Sequence, residues 1–271
     1  MSGGAFLSGL WRKPGLWRKP GQWRKPGQWR KLDPWRKLGK AWRLWRTPRY
    51  RRPLLAGVAA AVEQTALFAG LPVRTVIDAG ANKGQFALLA LELFPGATIH
   101  AFEPLARPHG RLAAWSRGEA RLIPHRCALG AAAGSVAMNV AARDDNSSLL
   151  PITGRQTALF PGTGKIGEER VAVLRLDAVL APEQLVAPVL FKIDVQGSEL
   201  AVLQGAGVLL GRVDWLFVEC SFVELYAGQA LADEVSAHLA AAGFEAAVFW
   251  NIVRDGDGRP VQADLLFRRR E

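Results

Sequence analysis

Apolar residues along this chain gather into short runs of two kinds that alternate. Arg74–Asp78, Ile99–Glu103, Leu122–Cys127, Val189–Asp194 and Trp215–Glu219 read as strands, most of them near-continuous apolar runs of the kind buried on both faces. Leu88–Phe94, Arg107–Trp115, Glu199–Leu210 and Ala230–Ala242 fall between them as helices, the first stopped by Pro95-Gly96. Ser135–Val140 and Val171–Leu176 predict further strands around 143–170, a polar, glycine-rich stretch that predicts a long excursion. Phe244–Phe249 and Asp264–Phe267 close the chain, with a turn at 254–260 and a final antiparallel strand. The alternation predicts an α/β fold: a mostly parallel, doubly wound sheet with helices on both faces.

Such sheets bind ligands beyond the carboxyl ends of their strands. Asp78, Glu103, Asp194 and Glu219 all fall at predicted strand ends. The first of these opens the turn Asp78-Ala79-Gly80-Ala81-Asn82-Lys83-Gly84, which runs from a buried strand into a helix N-terminus. Gly80 and Gly84 permit a tight turn and close backbone approach to a ligand. Their spacing is not the G-x-G-x-x-G of dinucleotide enzymes. A carboxylate at Asp78 would repel pyrophosphate but suits a cationic, phosphate-free ligand such as S-adenosylmethionine. Glu103 stands 19 residues beyond Gly84, where an acid is placed to bind ribose hydroxyls. The plainer alternative is a generic βαβ unit with two surface acids.

Charge divides the chain in two. The net +11 is made of +15 on residues 1–53, where 16 Lys and Arg face Asp33 alone, and −4 on the remainder. The boundary predicts a Trp/Arg/Lys-rich tail over 1–53 and a folded domain over 54–271. Trp-Arg-Lys recurs every six residues from Trp11 to Trp35, and Pro14, Pro20 and Pro26 exclude one continuous helix, so disorder is expected there. From Trp35 to Arg46 the spacing of Trp35, Leu38, Trp42 and Trp45 predicts a short basic amphipathic helix, weakened by Gly39. The tail has three readings: attachment to an anionic membrane surface, contact with single-stranded nucleic acid, or a solvated segment without a partner. Leu54–Leu71 is short for a membrane span, carries Glu63-Gln64 at its middle, and reads as a surface helix leading into the domain. Two cysteines and no evident secretory signal point to the cytoplasm, with the tail peripheral at the inner face of the membrane. Cys220 reads as a core filler.

Val76–Phe86, Phe102-Glu103-Pro104, Asn146-Ser147-Ser148-Leu149, Leu176-Asp177, Phe191–Leu200 and the closing Ala263–Phe267 together resemble the FkbM family of S-adenosylmethionine-dependent methyltransferases. The Lys192-Ile193-Asp194-Val195-Gln196-Gly197-Ser198-Glu199 block carries most of the specificity. The family often has Glu where this chain has Gln196, which removes one acid. The resemblance implies the seven-stranded class I methyltransferase fold, which is Rossmann-like, and methyl transfer to a hydroxyl, often on a sugar or natural product. It implies cofactor contacts from Asp78, Gly80, Asn82 and Gly84, with Glu103 on the ribose and Ala128 and Leu129 flanking the adenine.

A hydroxyl acceptor has a high pKa, so a base or polarising group is needed near it. Asp194 and Glu219 are the candidates, with His125 a weaker one; Ser147 and Ser148 are placed to bind acceptor hydroxyls or to form a turn. Asp194 has a second reading as cap of the following helix. The pair also has the oxygen chemistry for Mg²⁺, but two carboxylates do not specify an ion and no metal is assigned. No Asp/Asn-Pro-Pro-aromatic signature follows Asp194, which counts against methylation of nucleic-acid bases. A nucleic-acid-directed enzyme and a non-catalytic protein presenting the tail remain the alternatives.

Overall fold

The computed structural model describes residues 34–270; the Trp-Arg-Lys repeat before Pro34, with its expected disorder, lies outside them. From the N-terminal side run α1 (Pro34–Arg46), α2 (Pro48–Leu55), β1 (Thr75–Ala79), α3 (Gln85–Leu93), β2 (Thr98–Phe102), α4 (Ala106–Trp115) and β3 (Leu122–His125). Then come β4 (Ala128–Leu129), β5 (Gly134–Ala141), α5 (Gly154–Leu159) and β6 (Lys165–Leu174). The chain closes with β7 (Val189–Ile193), α6 (Glu199–Ala206), β8 (Trp215–Ser221), α7 (Ala232–Ala241), β9 (Phe244–Arg254) and β10 (Pro260–Arg269).

Seven strands form the main sheet in the order β3-β2-β1-β7-β8-β10-β9. β3, β2, β1, β7 and β8 are parallel, and β10 is antiparallel to both its neighbours. β1 and β7 sit at the centre with every residue buried, which is why both read as near-continuous apolar runs. Each face has its own apolar layer. Phe191, Val202 and Leu239 lie in one; Val76, Leu88 and Phe217 lie in the other. The chain order reverses direction between β1 and β7, so the carboxyl ends of β1, β2 and β7 open onto one crevice.

Four local differences from the sequence reading have physical reasons. The strand expected over Leu122–Cys127 ends at His125; Ala128-Leu129 instead starts a second, three-stranded sheet ordered β4-β6-β5. The 143–170 excursion is partly regular: Lys165–Arg170 has little apolar alternation, yet it extends β6 by antiparallel pairing with β5. The helix after Asp194 stops at Ala206, followed by a 3-10 segment over Gly207–Arg212. Leu54–Leu71 is not one surface helix. α2 ends at Leu55, and Val58, Ala60, Val62 and Phe68 are buried, with Phe68 edge-on to Phe86 and Phe217.

α1 forms where the Trp/Leu spacing places a helix. It sits against the fold: Leu44, and Tyr50 on α2, are each only 4% exposed within the same apolar layer as Phe86. Leu38, Trp42 and Trp45 point outward, 57–59% exposed. Among the described residues no helix is long and apolar enough to cross a membrane.

Candidate active site

A cavity of about 450 Å³ lies at the carboxyl ends of β1, β2 and β7. Gly80, Asn82, Glu103, Ala128, Leu129, Ser147 and Asp194 line it, so residues singled out from separate parts of the sequence meet at one cavity. Asp78, Gly84 and Glu219 are not on its wall.

Glu103 follows β2 and is 5% exposed. Its Oε2 accepts the Asn82 N–H and its Oε1 the Leu105 N–H, both at 2.9 Å. Burial raises its pKa to about 7 despite those two donors. Asn82, at φ +49, is the hinge of the glycine turn, and its side-chain oxygen accepts the Lys83 N–H at 2.7 Å. Lys83 in turn pairs with Asp144 at 2.8 Å.

The two glycines serve different neighbours. A Cβ on Gly80, at φ +78, would stand 1.8 Å from the Asp194 carbonyl, so this glycine lets the first turn touch the end of β7. A Cβ on Gly84, at φ +87, would meet Leu112 at 2.6 Å and Trp115 at 2.7 Å. Gly84 therefore makes room for α4, whose Trp115 donates to the Lys83 carbonyl at 2.7 Å. The close approach expected at Gly84 is to protein, not to the cavity.

Asp78 is 0% exposed and lies beneath the cavity floor. Lys192 stands against it at 3.0 Å, donates to the Gly80 carbonyl at 3.0 Å, and lies 3.5 Å from Asp194. Burial would lower the Lys192 pKa, but the carboxylates of Asp78 and Asp194 outweigh it and raise it. Burial pushes Asp78 upward while Lys192 opposes. The sequence reading did not single out Lys192. Its signal was a lysine inside an otherwise apolar strand.

Asp194 keeps 38% of its side chain exposed and faces the cavity. It does not cap α6: Ser198 holds the N-cap position, and Glu199 takes the Gly197 N–H at 3.0 Å and the Val195 N–H at 3.3 Å. Glu219 lies behind Asp194, joined to it by Gln196. The Gln196 amide nitrogen donates to Asp194 Oδ1 at 2.8 Å and to Glu219 Oε2 at 2.6 Å. Burial first, and the Asp194 charge next, raise the Glu219 pKa well above the usual carboxylate range. A neutral amide donor thus bridges the two carboxylates. Ser147 lines the cavity, whereas Ser148 is buried and ties down the Gln196 carbonyl at 2.6 Å. His125 is off the wall, stacked on Phe102 and 3.2 Å from the His100 ring nitrogen.

Residues 78–246 match the Methyltransferase FkbM domain family. The 31-O-demethyl-FK506 methyltransferase FkbM of Streptomyces tacrolimicus is 32% identical over 202 residues, covering 64% of this chain and 73% of that protein. The chain belongs to the FkbM methyltransferase family. Methyltransferase sdnD of Sordaria araneosa is 28% identical over 223 residues, 72% of this chain and 81% of its own length. Among solved structures, TehB from Haemophilus influenzae aligns at 10% identity and TM-score 0.42, over 78% of this chain and 63% of that one.

As an FkbM methyltransferase the chain is S-adenosylmethionine-dependent, and the cavity's chemistry fits that group. The three lysines on its wall are each held by a carboxylate: Lys40 by Glu63, Lys83 by Asp144, and Lys192 by Asp78. Glu103 adds a carboxylate and Ala128, Leu129 and Met138 an apolar surface.

Proposed function

We propose that this FkbM methyltransferase methylates a hydroxyl on a small-molecule acceptor of the sugar, glycan or natural-product kind. The observation that carries the reading is Asp194, a half-exposed carboxylate on the same cavity wall as Glu103. The Streptomyces relative is a 31-O-demethyl-FK506 methyltransferase, which supports a hydroxyl acceptor.

S-adenosylmethionine supplies an electrophilic methyl group on a sulfonium, so the protein's work is orientation and proton handling. In this reading Glu103 accepts the ribose hydroxyls. Ala128 and Leu129 flank the adenine, and the Gly80–Asn82 backbone holds the methionine end. Asp78 acts from below through Lys192, and Gly84 by seating the turn on α4. Asp194 takes the acceptor's proton, with Glu219 behind it. Ser147 is placed to orient the acceptor.

We place the catalytic domain over residues 54–271, with α1 and α2 packed on it as the root of the basic tail. The tail is read as a peripheral anchor for an anionic membrane surface on the cytoplasmic side. The outward Leu38, Trp42 and Trp45, interleaved with Arg43 and Arg46, support this.

Calorimetry with S-adenosylmethionine tests the cofactor site; micromolar binding is expected. Tritiated methyl transfer into cell glycans, lipids, natural-product fractions and RNA then tests the acceptor class. Label in hydroxyl-bearing small molecules is expected. Label confined to RNA would replace this reading with the nucleic-acid one, and a folded protein that binds no S-adenosylmethionine would leave the non-catalytic alternative.

A further inference from the structure

Gln196 stands at a position with several independent constraints. Its backbone is left-handed at φ +57, and Gly197 follows at φ +103. A non-glycine residue in that region costs stability and persists only where its surroundings hold it. Here Ser148 fixes the carbonyl from one side. Tyr226, 1% exposed, donates its hydroxyl to Gln196 Oε1 at 2.6 Å. The hydroxyl oxygen accepts Gln156 Nε2 at 3.3 Å, and its one proton has the much shorter contact with Gln196 Oε1 than with the Asn146 carbonyl at 3.3 Å. With Oε1 engaged, the amide can turn only its nitrogen toward Asp194 and Glu219.

We infer that Gln196 is a positioning residue. Its amide, oriented by Tyr226, holds Asp194 and Glu219 together as one carboxylate pair, with Asp194 presented to the cavity and Glu219 kept behind it. The functional part of this inference rests on the methyl-transfer reading, in which Asp194 receives the acceptor's proton. The geometry of the clamp does not rest on it.

The surroundings in this chain favour a neutral donor. Asp194, Glu219, Glu199 and Asp264 crowd this corner against one lysine, Lys192, which already pairs with Asp78. Asp264 is opposite Glu219 in the β8–β10 pairing. Burial, then the Asp194 charge, raises Asp264 to about 7. Burial raises Glu199 to about 7 as well. Two N–H bonds from one amide relieve the closest carboxylates without adding charge. A Glu at 196 would put a third acceptor 2.6–2.8 Å from the other two.

The test compares the full chain with Gln196→Met, Gln196→Glu and Tyr226→Phe by thermal melting from pH 5 to pH 9. Methionine keeps the length but removes the donors. A clamp predicts that the losses in Gln196→Met and Gln196→Glu relative to wild type are smallest at pH 5. Both variants should fall below wild type by at least about 4 °C at pH 8, the glutamate variant further, as the carboxylates ionise. Tyr226→Phe should show the same pH trend, smaller. If Gln196 only fills space, Gln196→Met keeps the wild-type melting profile at every pH, and the inference is overturned. A loss in Gln196→Glu that is equal at pH 5 and pH 8 also overturns it, since strain and not charge would then be the cause. S-adenosylmethionine affinity is the separate readout: Tyr226→Phe, which is off the cavity wall, should stay within about 3-fold of wild type. A wild type that binds none removes the methyl-transfer reading while the melting comparison still decides the clamp.

Discussion

Lys192 and Asp78 stand directly opposite each other in the β1–β7 pairing, with Nζ 3.0 Å from Oδ1. The pair is buried at the centre of the sheet, with Lys192 on the cavity wall and Asp78 beneath it. Lys192 also holds the Gly80 carbonyl, so the pair ties the glycine turn to the strand that carries Asp194.

Breaking that pair should cost more than replacing it. Lys192→Met leaves the Asp78 carboxylate buried without a counter-charge, a loss of about 3–5 kcal/mol. Lys192→Met with Asp78→Asn should recover much of it. Urea unfolding of the single and double variants measures both. A single variant as stable as wild type would show that Asp78 is already protonated and the pair carries no weight.

Glu103→Ala should weaken S-adenosylmethionine binding by about 1.5–3 kcal/mol, on the order of 10- to 100-fold. Unchanged affinity in a folded variant would remove Glu103 from the ribose. The pH dependence has a definite sign. The folded pKa of Glu103, about 7, lies above its ordinary 4.5. Its contribution to the stability of the ligand-free protein is therefore full below about 4.5 and is lost as pH rises through about 7. Glu103→Gln should flatten that part of the melting curve. Cofactor affinity should rise over the same window, because the ligand favours the ionised form.

Asp194→Asn should lower turnover at least ~100-fold with little change in melting temperature, since no helix cap is lost. Glu219→Gln should lower it less, because Glu219 is off the cavity wall, behind Gln196 and Asp194. Single-turnover rates under saturating cofactor separate the two. Equal losses would place both carboxylates at the acceptor.

The two ends of the tail should separate in a truncation series. A chain beginning at Pro34 keeps Leu44 and Tyr50 in the core and should melt near the full chain. One beginning at Leu54 removes both, with the Lys40–Glu63 contact, and should lose on the order of 3 kcal/mol or more. Residues 1–53 carry +15, so the full chain should sediment with anionic vesicles. Salt should weaken that binding without abolishing it, neutral vesicles should bind little, and the Pro34 chain should bind less. A full chain that ignores anionic vesicles but shifts single-stranded RNA would exchange the membrane for the nucleic-acid partner.

The sequence by itself determined the layered α/β fold. Strands buried on both faces are mostly apolar, so β1, β2, β7 and β8 announce themselves, and the helices between them leave few topologies open. It also determined which ends of those strands carry carboxylates, because an acid closing an apolar run is a local signal. Glu103 and Asp194 were legible in this way. Only the tertiary structure decided what stands against each acid. Asp78 and Lys192 are over a hundred residues apart in the chain and meet through a strand register that no local pattern encodes. Gln196 reads along the chain as a missing acid. Its role exists only because the turn after β7 brings it against Glu219 from β8 and Tyr226 beyond. Gly84 reads as a ligand contact until Trp115 is packed on it. The tail's composition suggested a segment apart from the domain. The burial of Leu44 and Tyr50 depends on an apolar surface assembled from α3, β1 and β8, which exists only once the sheet has formed.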